Sequence, residues 1–321
     1  MNEDRRLFIK TTAATAAGIG VLSQTQLVHT ARAMTAKVLK ESMPKRTLGK
    51  TGFNVGMFSL GGEATVEQRS RQQDAAEIIN RAIDLGVNYI DTSPTYGGGG
   101  SESNIGTVMK NRRDEVFLAT KTHDRSYDGT LRLFEQSLKR LQTDHIDLYQ
   151  IHNVRVNDDI TGALSRNGAV RAIERLRDEG AIRYIGITGH RDPDVLLRGI
   201  SEYNFDTLLL TLNAGDIHYK PFQKELLRTA VEKEMGIIAM KVSALGRIFR
   251  DDGITSMADA LGYVYSFPVS TSIVGISTIE ELEENVQIAR EFSEFSGDKL
   301  ARLESLTEPY YRDANFFKLH W

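Results

Sequence analysis

The chain has 321 residues, of which 40% are hydrophobic and 26% charged; its formal net charge is −3 and it has no cysteine. That length suits one α/β barrel of roughly 250 residues, and the charge balance offers no general attraction to nucleic acid or anionic lipid. Without cysteine, disulfides, thiolate nucleophiles and thiolate metal sites are excluded.

The first 33 residues differ in character from the rest. A charged start, MNEDRRLFIK, leads into the small-residue run TTAATAAGIGVLS and ends in Ala31, Arg32 and Ala33. Charge, a short apolar middle and a small-x-small end make an export signal whose apolar part is too short to span a bilayer comfortably. Arg5 and Arg6, followed by Leu7, Phe8, Ile9 and Lys10, resemble the twin-arginine signal. The expectation is a signal peptide over 1–33 and one body over 34–321. The export machinery is then a partner, the location is periplasmic, and no membrane span is left after cleavage.

The body opens with RTLGKTGFNVGMFSL, two short extended pieces around Gly49 to Gly52 that predict a β-hairpin. Apolar runs of strand length follow at 57–60, 87–90, 116–119, 146–151, 182–187, 207–212, 236–240 and 271–274. Between them lie stretches with helical spacing: AAEIINRAIDLG, LRLFEQSLKRLQ, AVRAIERLRDEG, PDVLLRGISEY, PFQKELLRTAVEKEMG and IEELEENVQIAREF. Eight strands alternating with helices over about 250 residues predict a (β/α)8 TIM barrel preceded by an N-terminal β-hairpin. The run Gly97 to Gly100 follows the second of these strands, with no Gly-x-Gly-x-x-Gly turn after the first, and reads as a flexible loop.

In such a barrel the residues at strand C-terminal ends converge on one rim, which gathers Asp91, Tyr96, Lys121 and His152. A phenol ordinarily ionises near pH 10, and a neighbouring ammonium lowers that value. Lys121 is expected to tune Tyr96, with Asp91 neutralising and orienting the lysine and His152 donating to, or placing, an oxygen on which negative charge grows. Reduction of a carbonyl by hydride needs those two services, a proton donor and support for an alkoxide. No spacing of His or paired carboxylates suggests a metal centre.

The motifs RTLGKTGFNV, NYIDTSPTYGGGGSESNIG, FLATKT, HIDLYQIHNV, YIGITGH, SALG and GISTIEELEENV, in that order, resemble the aldo-keto reductase family over roughly 46–292. The resemblance implies that Tyr96 is the general acid, tuned by Lys121 and Asp91, that His152 orients a carbonyl, and that a nicotinamide cofactor, NAD(P)H, supplies hydride. It assigns Ser243, Leu245 and Gly246 to a pyrophosphate loop and Gly275, Ser277, Glu281 and Asn285 to the adenosine end, with Asn213 available to the nicotinamide. Departures from the common pattern are Gly189 and His190 where a serine-asparagine pair is usual, Leu209 in place of glutamine, and Val242 in place of an aromatic.

Glu281, a carboxylate near adenosine, accepts from a ribose hydroxyl and repels a 2′-phosphate, which leans the expectation towards NADH. Lys241, Arg247 and Arg290 are the nearby cations able to offset it. The substrate is a small carbonyl or alcohol, and Tyr310, Tyr311, Phe316, Phe317 and Trp321 form an apolar wall if the tail folds over the rim. The alternatives are a nicotinamide-sensing module with little turnover and a barrel enzyme of another chemistry.

Overall fold

The computed structural model describes residues 42–320; the twin-arginine segment at 1–33 and Trp321 lie outside them. Strands β1 (Lys45–Thr47) and β2 (Asn54–Gly56) pair antiparallel around a turn closed by Gly52 at φ 71°. The hairpin pushes Leu48 against the start of β9 (Gly236–Met240), where a Cβ on Gly236 would stand 2.8 Å from the leucine side chain. With Val55, Tyr89, Phe117, Leu148, Leu209 and Ile238, Leu48 fills the barrel interior from below. Truncating such a buried leucine costs about 2–5 kcal/mol.

Above the hairpin, β3 (Phe58–Ala64), β4 (Tyr89–Asp91), β5 (Phe117–Thr122), β6 (Ile146–Ile151), β7 (Ile182–Gly189), β8 (Thr207–Thr211), β9 and β10 (Thr271–Ile276) run parallel. The sheet closes between β10 and β3. This is the expected (β/α)8 barrel with its leading hairpin. The strands read as near-continuous apolar runs because both faces are covered, by interior side chains and by helices.

The helices form where apolar residues repeat at three and four. In Gln72–Asp84 the buried face is Ala75, Ile78, Ile79, Ala82 and Ile83, and Gly86 turns the chain away at φ 93°. Ser126 and Thr278 cap their helices by accepting from the N–H groups of Gly129 and Glu281. Pro193 opens its helix behind the Asp192 cap.

Two sequence expectations need correction. The stretch after Tyr96 is a fixed structure rather than a flexible loop: Gly97, Gly98 and Gly99 take left-handed backbone at φ 56°, 58° and 88°, and Gly100 starts the helix Gly100–Arg112. A Cβ on Gly97 would lie 2.1 Å from the Glu67 carbonyl oxygen, so glycine is required there. That helix, and those at Asn157–Leu164, Met257–Tyr265 and Gly297–Thr307, were not anticipated. Gly100–Arg112 buries polar Ser101, Glu102 and Asn104 along with Ile105, Val108 and Met109, which erases the apolar stripe that would have revealed it.

Candidate active site

Barrel register determines which side chains meet. Asp91 ends β4 opposite Ala119 of β5, and two residues further along β5 Lys121 stands opposite Gln150 of β6. The Lys121 ammonium and the Asp91 carboxylate form an ion pair, both side chains fully buried. Lys121 Nζ also donates to the Thr92 carbonyl oxygen at 2.8 Å and the Tyr96 phenol oxygen at 3.2 Å. The other Asp91 oxygen accepts from Gln150 Nε2 at 3.0 Å. Gln150 went unnoticed in the sequence; its one signal was its place two residues before His152, on the same face of a strand.

His152 stands edge-on to Tyr96, ring centroids 5.9 Å apart at 84°, with Nδ1 3.3 Å from the Ser93 hydroxyl. Burial, then the charges of Lys121, His190 and Arg125, holds its pKa well below the usual imidazole value, so the ring is neutral at pH 7. Asp91 is shifted upwards by burial against the opposing pull of Lys121.

Tyr96 does not follow the expected direction. Its pKa is raised well above 10, first by burial and then by the carboxylates of Asp91, Glu63 and Glu67. The Lys121 charge that was expected to lower it is already paired with Asp91. The phenol is therefore protonated throughout the neutral range.

One face of Tyr96 borders a groove of about 530 Å³ that runs over the end of β10. Ser243, Leu245, Gly246, Gly275, Ser277, Glu281 and Asn285 all line it together with Asp91 and Tyr96. At its middle, Ala244, Leu245 and Gly246 take successive left-handed backbone at φ 50°, 57° and 82°. The Ala244 N–H is spent on the Lys241 carbonyl oxygen at 2.9 Å, while Leu245 and Gly246, next in the turn, line the groove, and N–H groups of such a turn suit an anion. At the far end the Asn285 side-chain nitrogen is buried without a partner among the described residues. A cradle for phosphates and an orphaned donor beyond it fit a dinucleotide.

Other expected residues fall elsewhere. Asn213 is buried, donating to the carbonyl oxygens of Lys241 and Ala314 and accepting from the Gly215 N–H; it does not line the groove. Arg247 stacks on Phe316 and Arg290 donates to the Leu85 carbonyl oxygen, so of the three cations only Lys241 lines the groove, paired with Glu63 at 2.8 Å. That pair links the ends of β3 and β9 and was not recognised from residues so far apart in sequence. Glu281 accepts from the Ser277 N–H at 2.7 Å, closing the first helical turn while facing the groove.

The tail packs onto the rim, but none of Tyr310, Tyr311, Phe316 and Phe317 lines the groove, so the expected apolar wall is not formed there. Asn315 donates to the Gly215 carbonyl oxygen at 2.6 Å, Phe317 meets His190 edge-on, and buried Lys318 pairs with Asp216. No described helix is long and apolar enough to cross a membrane.

Known proteins resemble this chain in sequence and fold. L-galactose dehydrogenase of Arabidopsis thaliana is 28% identical over 305 residues, covering 82% of this chain and 94% of its own. The aldo-keto reductase AKR11C1 of Bacillus halodurans, solved in its holo form, superposes with a TM-score of 0.70 at 26% identity, covering 82% of this chain and 96% of that one. An aldo/keto reductase of Klebsiella pneumoniae solved with NADP and acetate gives 0.63 at 25% identity, over 80% and 93%. The model of the aldo/keto reductase family matches residues 54–248, well over half the chain, and the chain belongs to that family of oxidoreductases.

Proposed function

We propose that the protein reduces an aldehyde or ketone, or oxidises the corresponding alcohol, with Tyr96 as the general acid and base. The observation that carries this reading is the Tyr96 phenol, protonated and 3.2 Å from the Lys121 ammonium beside the dinucleotide-shaped groove. A bound nicotinamide would supply the hydride. Tyr96 gives its proton to the carbonyl oxygen, and the phenolate left behind is stabilised by Lys121. Asp91, steadied by Gln150, holds the ammonium in place. This reading requires the Ser93 hydroxyl, 3.3 Å from His152 Nδ1, to act as the donor there, which leaves the hydrogen on Nε2 to be given to the substrate oxygen as charge grows on it. A module that only senses nicotinamide would need none of this proton-transfer set. Replacing Tyr96 by Phe tests the reading: reduction is lost while dinucleotide affinity stays, and unchanged turnover would refute it.

Ser243, Leu245 and Gly246 would hold the pyrophosphate, and Gly275, Ser277, Glu281 and Asn285 the adenosine. The Klebsiella relative carries NADP. In this chain, Glu281 and Glu284 line the adenosine end and Lys241 is already paired, an arrangement that favours NADH. Competitive titration of the two dinucleotides decides; clearly tighter NADPH binding would end the preference for NADH.

The segment 1–33 we assign to twin-arginine export, with the working body at 34–321 in the periplasm. Arg5, Arg6 and the small-x-small end at Ala31 to Ala33 support it. Mass determination of the exported protein tests it: a start near Met34 is expected, and an intact N-terminus held in the membrane fraction would oppose it.

A further inference from the structure

The segment after β9 carries unusual backbone strain. Lys241, Ala244 and Leu245 are non-glycine residues in the left-handed region, at φ 58°, 50° and 57°, and Gly246 follows at 82°. Such residues persist only where their surroundings over-determine them. Ser243, Leu245, Gly246 and Phe249 of this segment line the groove, with Leu245 exposed.

The C-terminal tail, none of whose residues lines the groove, supplies the restraint. Tyr310 Oη donates to the Ile248 carbonyl oxygen at 3.0 Å and accepts from the Ile254 N–H at 3.1 Å, both isoleucines being buried. Between them Arg250 pairs with Asp313 and lies over the Tyr310 ring, 5.3 Å from its centre, while Arg247 lies over the Phe316 ring at 4.2 Å. Where the segment begins, the Asn213 side-chain nitrogen joins it to the tail by donating to the carbonyl oxygens of Lys241 and Ala314. The tail is itself fixed to the rim: the Thr307 hydroxyl donates to the Ala214 carbonyl oxygen at 2.9 Å, and Lys318 pairs with Asp216.

Backbone carries this grip to the turn. The Ile248 N–H donates to the Ser243 carbonyl oxygen at 3.3 Å, and the Phe249 N–H to that of Gly246 at 3.2 Å. The residue whose carbonyl Tyr310 holds therefore closes the turn that presents Leu245 and Gly246. The phenol has little room to shift, since a Cβ on Gly253 would stand 2.2 Å from its oxygen.

Resting on the dinucleotide reading above, we infer that Tyr310 is a positioning residue for the pyrophosphate, holding the strained turn from the tail in the form that receives it. The aromatic tail serves the dinucleotide rather than walling the substrate. Without the Tyr310 hydroxyl, the Ile248 carbonyl and the Ile254 N–H lose their partner and the turn relaxes. If about a tenth of the molecules keep the competent turn, the apparent dissociation constant rises about ten-fold. Saturating dinucleotide restores the competent form, so turnover at saturation is spared.

The test is calorimetric binding of NADH and of NADPH to the full-length protein, with steady-state kinetics alongside. Tyr310→Phe is expected to weaken both about ten-fold, because the pyrophosphate is common to them, without lowering kcat at saturating dinucleotide. Gly253→Ala, which keeps the phenol but drives it out of the turn, should do the same; if one of the two variants fails to fold, the other decides. Ser296→Ala, which strips the N-cap from the helix Gly297–Thr307 leading into the tail, should lower the denaturation midpoint and leave affinity unchanged. Unchanged affinity in Tyr310→Phe or in Gly253→Ala, or an equal loss in Ser296→Ala, overturns the inference. Weakened binding by both variants in a protein that reduces no carbonyl keeps the inference and removes the reductase reading. Carbonyl reduction with affinity indifferent to both variants keeps the reductase and removes the inference.

Discussion

Two buried Asp-Lys pairs stand on the same rim and do different work. Asp91–Lys121 touches a phenol and borders the groove. Asp216–Lys318 meets backbone and one aromatic face: Lys318 Nζ also donates to the carbonyl oxygens of Tyr219 and Lys220, at 2.8 and 3.1 Å, and lies 5.0 Å from the centre of the Phe222 ring. Both aspartates are pushed upwards by burial, so neither burial nor charge distinguishes the pairs. What distinguishes them is a group with a proton to give beside open space. Buried ion pairs alone are weak evidence of chemistry.

Substitution separates the pairs. The largest effect is expected from Tyr96→Phe, which lowers turnover by roughly 10²–10⁴-fold with thermal stability unchanged, measured by steady-state kinetics and calorimetry. Lys318→Met should cost about 3–5 kcal/mol of stability by stranding Asp216, read as a lowered denaturation midpoint. Pairing it with Asp216→Leu should recover most of that loss together with activity. The matching double change at Asp91 and Lys121 should recover stability and leave the enzyme inactive; recovery of turnover there would erase the distinction.

Acid sensitivity should belong to the reactive side. His152 and His190 are buried and held well below the usual imidazole value by burial and by Lys121, among others. Below about pH 6.5 the unfolded chain takes up protons that these folded imidazoles refuse. Stability therefore falls with acidification by about 1.4 kcal/mol per pH unit for each. Denaturant titrations at pH 7 and pH 5.5 check this, and His190→Gln should reduce the slope. The smallest effect concerns the far end of the groove: Glu281→Arg should move dinucleotide preference towards NADPH by about ten-fold, seen as a change in the ratio of the two dissociation constants.

How much of this was legible beforehand follows from what pattern can carry. The strands announced themselves as apolar runs, and Asp91, Lys121 and His152 stand at or just beyond the ends of such runs, so fold and rim followed together. Side-chain partners across the barrel had no pattern to leave. Gln150 reaches Asp91 over 59 residues, and Glu63 reaches Lys241 over 178. Asn213 looked free because the tail residues that engage it lie a hundred positions away. The direction of the Tyr96 shift was misjudged for a related reason: spacing revealed the neighbouring ammonium and the aspartate that neutralises it, but neither the burial of the phenol nor the two glutamates beyond.

The left-handed glycines after Tyr96 set a rule for redesign. With Gly97 flush against the Glu67 carbonyl, any added side chain collides with backbone, which has no rotamer to yield. The proton donor is thereby mounted on a second turn of the barrel mouth rather than on a movable loop. Libraries aimed at new carbonyls should hold 96–100 and 64–67 constant, because a change there moves the proton donor itself.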